Sequence, residues 1–154
     1  IIAGSAPVLI GWYAIDKQPV FELLPFLYFC LIAFWTPLHV WTLMLSYRQD
    51  YENAGLHYFP LSWQDKSVIR LLAALSVALS ITAIAIYLLT HIFGWLYLIT
   101  TSLLSVLMIG ANIRLMCNPT SQNAWQVYKL TAFPYLGIIF AVMALAGLIG
   151  NISP

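Results

Sequence analysis

Five long apolar stretches, separated by polar connections, constrain this chain more than any other feature of its sequence. They cover approximately residues 1–15, 20–47, 67–90, 94–117 and 127–150. A helix needs about 20 mostly apolar residues to cross a bilayer, a length that the first stretch reaches only marginally. Only 7% of the residues are charged, against roughly 25% in soluble domains. Because lipid-exposed backbone must be hydrogen-bonded internally and no stretch alternates like a barrel strand, the sequence predicts an all-α, polytopic transmembrane bundle of about five helices.

The distribution of positive charge predicts the orientation of this single transmembrane domain, 1–154. Of six Lys and Arg residues, five flank the polar loop at 48–66 or the connection at 118–127, and only Lys17 lies at the other end. The positive-inside rule therefore places both loops in the cytoplasm and Pro154 outside, and we expect a bacterial inner membrane. Aromatic residues near the predicted segment ends are expected to anchor them at the water interfaces: Trp12, Tyr13, Trp95, Tyr97, Trp125 and Tyr128.

The composition limits which partners the chain can have, and its first residues suggest how much of the protein it represents. The net charge is +1, without a run of Lys or Arg, which excludes nucleic acid as a partner because phosphate binding needs a concentrated basic surface. The lipid bilayer is the partner that the apolar composition requires. The chain has no initiating Met and begins in apolar sequence at Ile1-Ile2, which predicts that it starts inside a longer protein.

His39 is the first residue of the chain that suggests chemistry. It lies about two helical turns before Tyr47 and therefore in the predicted cytoplasmic half of the membrane. An ionisable side chain at that depth is a functional-site hypothesis. The alternative, of equal weight, is a neutral His that donates to a neighbouring carbonyl. Pro37, two residues earlier, lacks a backbone donor and is expected to kink the helix.

A second group of polar residues follows at the membrane boundary. Tyr47, Arg48, Asp50 and Tyr51 are suited to hold an anionic head group. Arginine supplies a fork of donors, tyrosine supplies neutral donors, and a carboxylate can recruit Mg²⁺ as a bridge to phosphate oxygens. Arg48 and Glu52 are four residues apart and would pair on a helix. From the chemistry alone, the alternative is a set of solvated charges at the boundary.

These residues form a block that resembles a known family. Trp35-Thr36-Pro37-x-His39, then Tyr47-Arg48-x-Asp50-Tyr51-x-x-Ala54-Gly55 and Pro60, together with the upstream segment 4–12, are similar to protoheme IX farnesyltransferases (heme O synthases). These enzymes belong to the ubiquinone-type intramembrane prenyltransferases. The resemblance implies that the chain corresponds to the C-terminal half of a nine-helix fold around a central cavity.

The resemblance also implies roles for individual residues. Tyr47, Arg48, Asp50 and Tyr51 match the family's second motif, near the diphosphate, and Asp50 would contact it through Mg²⁺. His39 matches a block that faces the heme side of the cavity. The implied reaction transfers a farnesyl group from farnesyl diphosphate to a heme vinyl group, so that heme is a substrate rather than a cofactor.

Two departures from the family leave a second interpretation open. The family's first motif, with an Asn and paired Asp residues, has no counterpart in this chain, and the segment after Gly55 has the bulky pair Tyr58-Phe59. Because ionising a prenyl diphosphate needs metal and cationic groups on the leaving diphosphate, we expect this chain to be inactive alone. The alternative is a non-catalytic, prenyltransferase-derived subunit of a larger respiratory or photosynthetic complex. A cytochrome-like heme protein is less favoured, since only His39 lies at membrane depth.

Overall fold

The computed structural model describes residues 2–15, 22–56 and 59–150, and every regular element within these ranges is helical. In chain order these elements are α1 (Ile2–Ile15), α2 (Leu23–Ser46), α3 (Arg48–Asn53), α4 (Asp65–Thr90), α5 (Trp95–Cys117), α6 (Ser121–Leu130), a π-helical segment (Thr131–Tyr135) and α7 (Leu136–Gly150). The predicted all-α, polytopic helical bundle is thereby confirmed. The positions of Lys17, His57, Tyr58 and Pro154 lie outside the described residues.

Four helical spans are long and apolar enough to cross a membrane. They are Leu23–Ser46, Asp65–Thr90, Trp95–Cys117 and Ser121–Ala146. The first predicted segment also forms a helix, α1, but its 14 residues fall short of the length that a span requires. α2 continues through Pro37 without a break in the helix. The ends of α2, α4 and α5 agree with the ends of the second, third and fourth apolar stretches to within a few residues.

The last span begins earlier than hydropathy predicts, so the prediction of a connection over 118–127 was wrong. Residues 121–127 are already helical. The side chain of Thr120 accepts a 3.2 Å hydrogen bond from the backbone N–H of Asn123, which is the bond of a helix N-cap. The first turns of α6 are polar and therefore invisible to a search for apolar stretches.

The predicted loop 48–66 is also partly helical. α3 occupies its first six residues and ends at Asn53, and Gly55, two residues later, has a φ of +74°. The N–H of Leu56 donates to the carbonyl of Tyr51, and the N–H of Gly55 to that of Glu52, both at 3.0 Å. This pair of bonds is a Schellman motif, and the left-handed conformation it needs favours glycine.

The core of the bundle forms where α4 packs against both α2 and α5, and where α6 packs against α2. Large apolar side chains of these helices are fully buried at the contacts: Leu31, Leu38, Leu72, Leu79, Met108 and Val127. Polar bonds also cross between helices, since the hydroxyl of Tyr97 donates to the carbonyl of Ala83 at 2.9 Å. Outward-facing side chains such as Ile81 and Val106 are apolar and more than 60% exposed, as expected where lipid replaces water.

Candidate functional site

His39 occupies a polar and aromatic cluster between α2 and the π-helical segment. Its Nδ1 lies 3.1 Å from the hydroxyl oxygen of Thr131. Its ring stacks on that of Trp35, with 4.7 Å between ring centroids and 13° between planes, and the ring of Tyr128 lies 4.8 Å away with a 31° tilt. Trp35 Nε1 also donates a 2.6 Å hydrogen bond to the backbone oxygen of Thr131. Thr131 therefore holds both rings of α2, and the partner of His39 is a hydroxyl rather than the carbonyl of the alternative interpretation.

The hydrogen-bond network assigns the tautomer of the neutral His39 ring. The Thr131 hydroxyl lies 2.8 Å from the carbonyl of Tyr128, which can only accept. Since a hydroxyl has one proton, it donates to that carbonyl and accepts from His39, whose Nδ1 must then carry the hydrogen. The other ring nitrogen, Nε2, is left with a lone pair and has no hydrogen-bond partner in the part of the chain that the structure describes.

The π-helical segment is what brings Thr131 to this position. Pro134 lies within it, and a proline removes a backbone donor and clashes with the carbonyl of the preceding turn, so a regular α-helix is disfavoured there. Such local π turns often occur at functional sites. Sequence reasoning did not single out Thr131, although Pro134 inside an apolar stretch was a usable signal for an irregular turn.

A row of aromatic rings connects His39 to the membrane boundary. Beyond Tyr128, the ring of Trp125 stacks at 4.8 Å, and the ring of Tyr47 meets that of Trp125 edge-on at 5.6 Å. Together, Trp35, His39, Tyr128, Trp125 and Tyr47 form what we call the ring row. We expected Trp125 and Tyr128 to be interface anchors; in the structure they pack in this row, Tyr128 half-buried and Trp125 also half-buried.

Arg48 is fully engaged by the loop that follows it. Its Nε donates to Glu52 at 2.6 Å, its Nη1 pairs with Asp65, and its Nη2 donates to the carbonyl oxygen of Leu61 at 2.9 Å. The predicted pair with Glu52 is confirmed, whereas the contact with Asp65 was not foreseen. A pocket of about 90 Å³, lined by Arg48, Asp65 and the start of α6, has room for several water molecules.

The other predicted diphosphate residues are neighbours of Arg48 in the chain, at the junction of α2 and α3. Tyr47 is 46% exposed at the break between α2 and α3, and Tyr51 is half-buried on α3. Asp50 is exposed in the first turn of α3, and its carboxylate has no ion-pair or hydrogen-bond partner among the described residues. The structure thus gathers these residues at one end of the ring row, and their role at a diphosphate stays a prediction.

The donor groups fit Mg²⁺ only in a limited way. Within the described ranges, no group of three or more His, Cys, Asp or Glu side chains is arranged to hold a metal ion. Glu52 and Asp65 are occupied by Arg48, which leaves Asp50 as the available carboxylate. One carboxylate fits the common binding of Mg²⁺ through one or two carboxylates together with substrate phosphates, and it does not make a site of protein ligands alone.

Comparisons with known proteins agree with the resemblance found in the motifs. The model of the UbiA prenyltransferase family matches residues 1–137. Protoheme IX farnesyltransferase 1 of Picrophilus torridus is 33% identical over 147 residues, which cover 96% of this chain and 48% of that protein. The protoheme IX farnesyltransferase of Sulfurisphaera tokodaii is 34% identical over 147 residues, covering 96% and 47%. For protoheme IX farnesyltransferase 1 of Cenarchaeum symbiosum, the identity is 36% over 144 residues, covering 94% and 47%.

These matches cover most of this chain but only part of each relative. The chain spans about half the length of these curated relatives. No solved structure matches the chain significantly. With the family match, the four apolar spans describe an integral membrane protein. The chain belongs to the UbiA prenyltransferase family.

Proposed function

We propose that this chain supplies part of an intramembrane prenyltransferase that moves a farnesyl group from farnesyl diphosphate to a vinyl group of heme. The enzyme names of the relatives support the class of reaction. The observation that carries the proposal is the ring row, which links His39 to the boundary residues around Tyr47. These two residues are eight positions apart, His39 within α2 and Tyr47 at its C-cap, or about 12 Å along the helix at about 1.5 Å per residue.

This spacing suits the geometry of the reaction. The carbon of the farnesyl group that reacts is the one bonded to the diphosphate, so the heme vinyl group has to come close to the diphosphate. With the iron near His39 and the vinyl edge toward Tyr47, heme would lie along the half-buried edge of the ring row. A neutral imidazole with a free Nε2 lone pair is the form that ligates heme iron. Thr131 holds His39 in that form.

The boundary residues would hold the diphosphate. Tyr47 and Tyr51 offer neutral donors, and Asp50 would hold Mg²⁺, which supplies positive charge to the leaving diphosphate. Arg48 would reach the diphosphate by exchanging Asp65 for a phosphate oxygen. The carbon–oxygen bond of farnesyl diphosphate breaks, the diphosphate leaves with the electron pair, and the vinyl carbon bonds to the farnesyl group. Water then adds at the neighbouring carbon with loss of a proton, which gives the hydroxyethylfarnesyl product.

The proposed orientation is based on the charges. We propose a single transmembrane domain in the inner membrane, with the 48–66 loop and the 118–120 connection in the cytoplasm. The end of the ring row at Tyr47 then faces the side on which soluble diphosphates are available. Labelling of single cysteines placed in each loop, from either side of sealed vesicles, tests this orientation.

The function is tested on the full-length polypeptide as encoded, purified in detergent and returned to liposomes. Supplied with farnesyl diphosphate, heme and Mg²⁺, it should form hydroxyethylfarnesyl heme, detected by mass spectrometry. His39→Ala should lower heme affinity about tenfold or more, since even losing a residue that only orients a metal ligand costs about 10–100-fold. His91→Asn is the matched control. His91 lies just beyond the far end of α4 with a φ of 53°, which Asn also tolerates.

The same experiment separates the proposal from the subunit alternative, which has no support in the comparisons. The subunit interpretation would be favoured if the full-length protein formed no product with any prenyl diphosphate and purified as a stable member of a respiratory or photosynthetic complex. Product formation that is unaffected by His39→Ala would support the enzymatic function and contradict a role of His39 in binding heme.

A further inference from the structure

A cleft of about 380 Å³ opens between α4 and α5, at the end of the bundle that carries the 48–66 loop. Lys66 and Arg70 lie one turn apart on α4 and line one side. Met116 and Cys117 of α5, with Pro119 just beyond, line the other side. All five of these residues are exposed, so the cleft opens on the surface of this chain. It lies on a different pair of helices from the ring row.

The two cations of this cleft have no partners. Among the described residues, the only ion pairs are those of Arg48, which binds the carboxylate of Asp65 next to Lys66. Neither Lys66 nor Arg70 makes a hydrogen bond or an ion pair in the described part of the chain, and no Asp or Glu lines the cleft. The lining of the cleft therefore has two positive charges and no negative one. An anion would be attracted to it, as exposed charges that lie within about 10 Å are not fully screened at moderate salt.

A third cation adds to this charge from α5. Arg114 lies three residues before Cys117, so both project from the same side of the helix. Its side chain is exposed and, within the described ranges, unpaired. Arg114 itself does not line the cleft, so its charge acts on the cleft from the neighbouring surface of α5.

An apolar track leads from the cleft toward the membrane interior. On α4, Val77 and Ile81 follow Arg70 at helical spacing, and on α5, Ile113 and Val106 precede Cys117 in the same way. All four side chains are exposed, the least of them at 44%. A ligand that meets the cations with an anionic group can therefore place a hydrocarbon chain along this track.

We propose that this cleft binds an anionic membrane phospholipid, with its phosphate between Lys66 and Arg70 and an acyl chain along the track. Basic pockets between transmembrane helices bind the head groups of anionic lipids in this way. The guanidinium of Arg70 offers the fork that matches two phosphate oxygens. Free phosphate shares the anionic chemistry but leaves the apolar track uncovered, which favours the lipid. The proposal does not depend on the prenyltransferase reaction.

The test uses the full-length protein in detergent, stripped of lipid. Native mass spectrometry measures the binding of phosphatidylglycerol and of phosphatidylcholine, each at several concentrations. Arg70→Gln is compared with Lys129→Gln, which removes the same charge from α6, where the ammonium lies 5.7 Å from the ring of Trp125. A third variant combines Lys66→Gln with Arg70→Gln. Each preparation is checked for wild-type helix content and elution volume.

The proposal expects phosphatidylglycerol to bind more tightly than phosphatidylcholine. Arg70→Gln should weaken phosphatidylglycerol binding about fivefold and the double variant about 25-fold, since each cation near a membrane surface contributes about 1 kcal/mol. Lys129→Gln should change it by less than about twofold.

Three results would overturn the proposal. One is equal affinity for the two lipids, and another is equal loss in Arg70→Gln and Lys129→Gln, which would mean a diffuse charge effect. The third is binding of inorganic phosphate that phosphatidylglycerol does not displace. If the double variant fails to fold, the two lipids and phosphate on the wild-type protein, together with the comparison of Arg70→Gln and Lys129→Gln, still decide between these outcomes.

Discussion

Replacing Thr131 by Val tests whether this residue positions His39. The substitution removes the hydroxyl that accepts from His39 Nδ1 at 3.1 Å and keeps a side chain of nearly the same shape. The bond from Trp35 goes to the backbone oxygen of residue 131 and is retained. The change therefore removes two bonds of one hydroxyl, that with His39 and the 2.8 Å bond to the carbonyl of Tyr128, and keeps the ring contacts of the cluster.

The expected size follows from hydrogen bonds measured between membrane helices, which average about 0.6 kcal/mol and reach about 1.7 kcal/mol. If this bond selects the ring form with a free Nε2, its loss should weaken heme binding about threefold to about 20-fold, at about 1.4 kcal/mol for each factor of ten. Titration of the full-length protein with heme, followed by its absorbance, measures the affinity. Nitrogen NMR of histidine-labelled protein reports the tautomer directly.

Two control substitutions separate positioning from general destabilisation. Thr131→Ser keeps the hydroxyl and should bind heme within about twofold of the wild type. Thr101→Val removes a buried hydroxyl that bonds within α5, to the carbonyls of Tyr97 and Leu98, and should leave heme affinity unchanged. If Thr131→Val binds heme like the wild type while His39→Ala does not, then Thr131 has no positioning role and the reasoning fails.

Four further substitutions test the packing of the loop and the bundle. The side chain introduced by Arg48→Lys cannot reach all three acceptors of Arg48, so amide protons of α3 should exchange about twofold to fivefold faster, because exposed pairs contribute about 0.2–1 kcal/mol each. Asp65→Asn should have a smaller effect, and unchanged exchange in both variants would contradict a role of Arg48 in holding α3 to the loop. Gly55→Ala places a Cβ at a φ of +74° and should destabilise α3 by about 1 kcal/mol, seen as faster exchange confined to residues 48–56. Tyr97→Phe removes the bond to Ala83 and should lower the free energy of unfolding in detergent by about 0.6 kcal/mol, whereas a loss above about 2 kcal/mol would show that this bond carries more than its expected share.

The sequence predicts the helices of this protein where lipid dictates them. α4 and α5 are found within about two residues of their expected limits, because an apolar run of spanning length has one stable conformation in a bilayer. The start of α6 was missed because its stability comes from the Thr120 cap and not from apolar character. Local spacing likewise predicts the contact between Arg48 and Glu52, whereas Asp65 lies 17 positions away and meets Arg48 only through the path of the loop.

The site was predictable in its residues but not in their connection. His39 and Tyr47 stand out in the sequence as polar groups in an apolar helix, and helical spacing places them about two turns apart. What links them comes from α6, through Tyr128 and Trp125, and from Thr131 at its end. These contacts span more than 75 positions of the chain and depend on how two helices pack, which no local pattern encodes.

The two ends of the ring row differ from its middle in the bonds they leave free. In the middle, Tyr128 and Trp125 are occupied by ring contacts on both sides. Toward one end, the Nε2 atom of His39 has a lone pair without a partner among the described residues, and beyond the other end the carboxylate of Asp50 has none either. The carboxylate of Asp50 is exposed, whereas leaving the half-buried ring of His39 without a partner at Nε2 is costly, so a ligand gains most at the His39 end. Both groups would gain a partner from two ligands about two helical turns apart, one that offers a metal centre to the neutral nitrogen and one that brings a cation to the carboxylate. A heme beside a metal-bound diphosphate is such a pair.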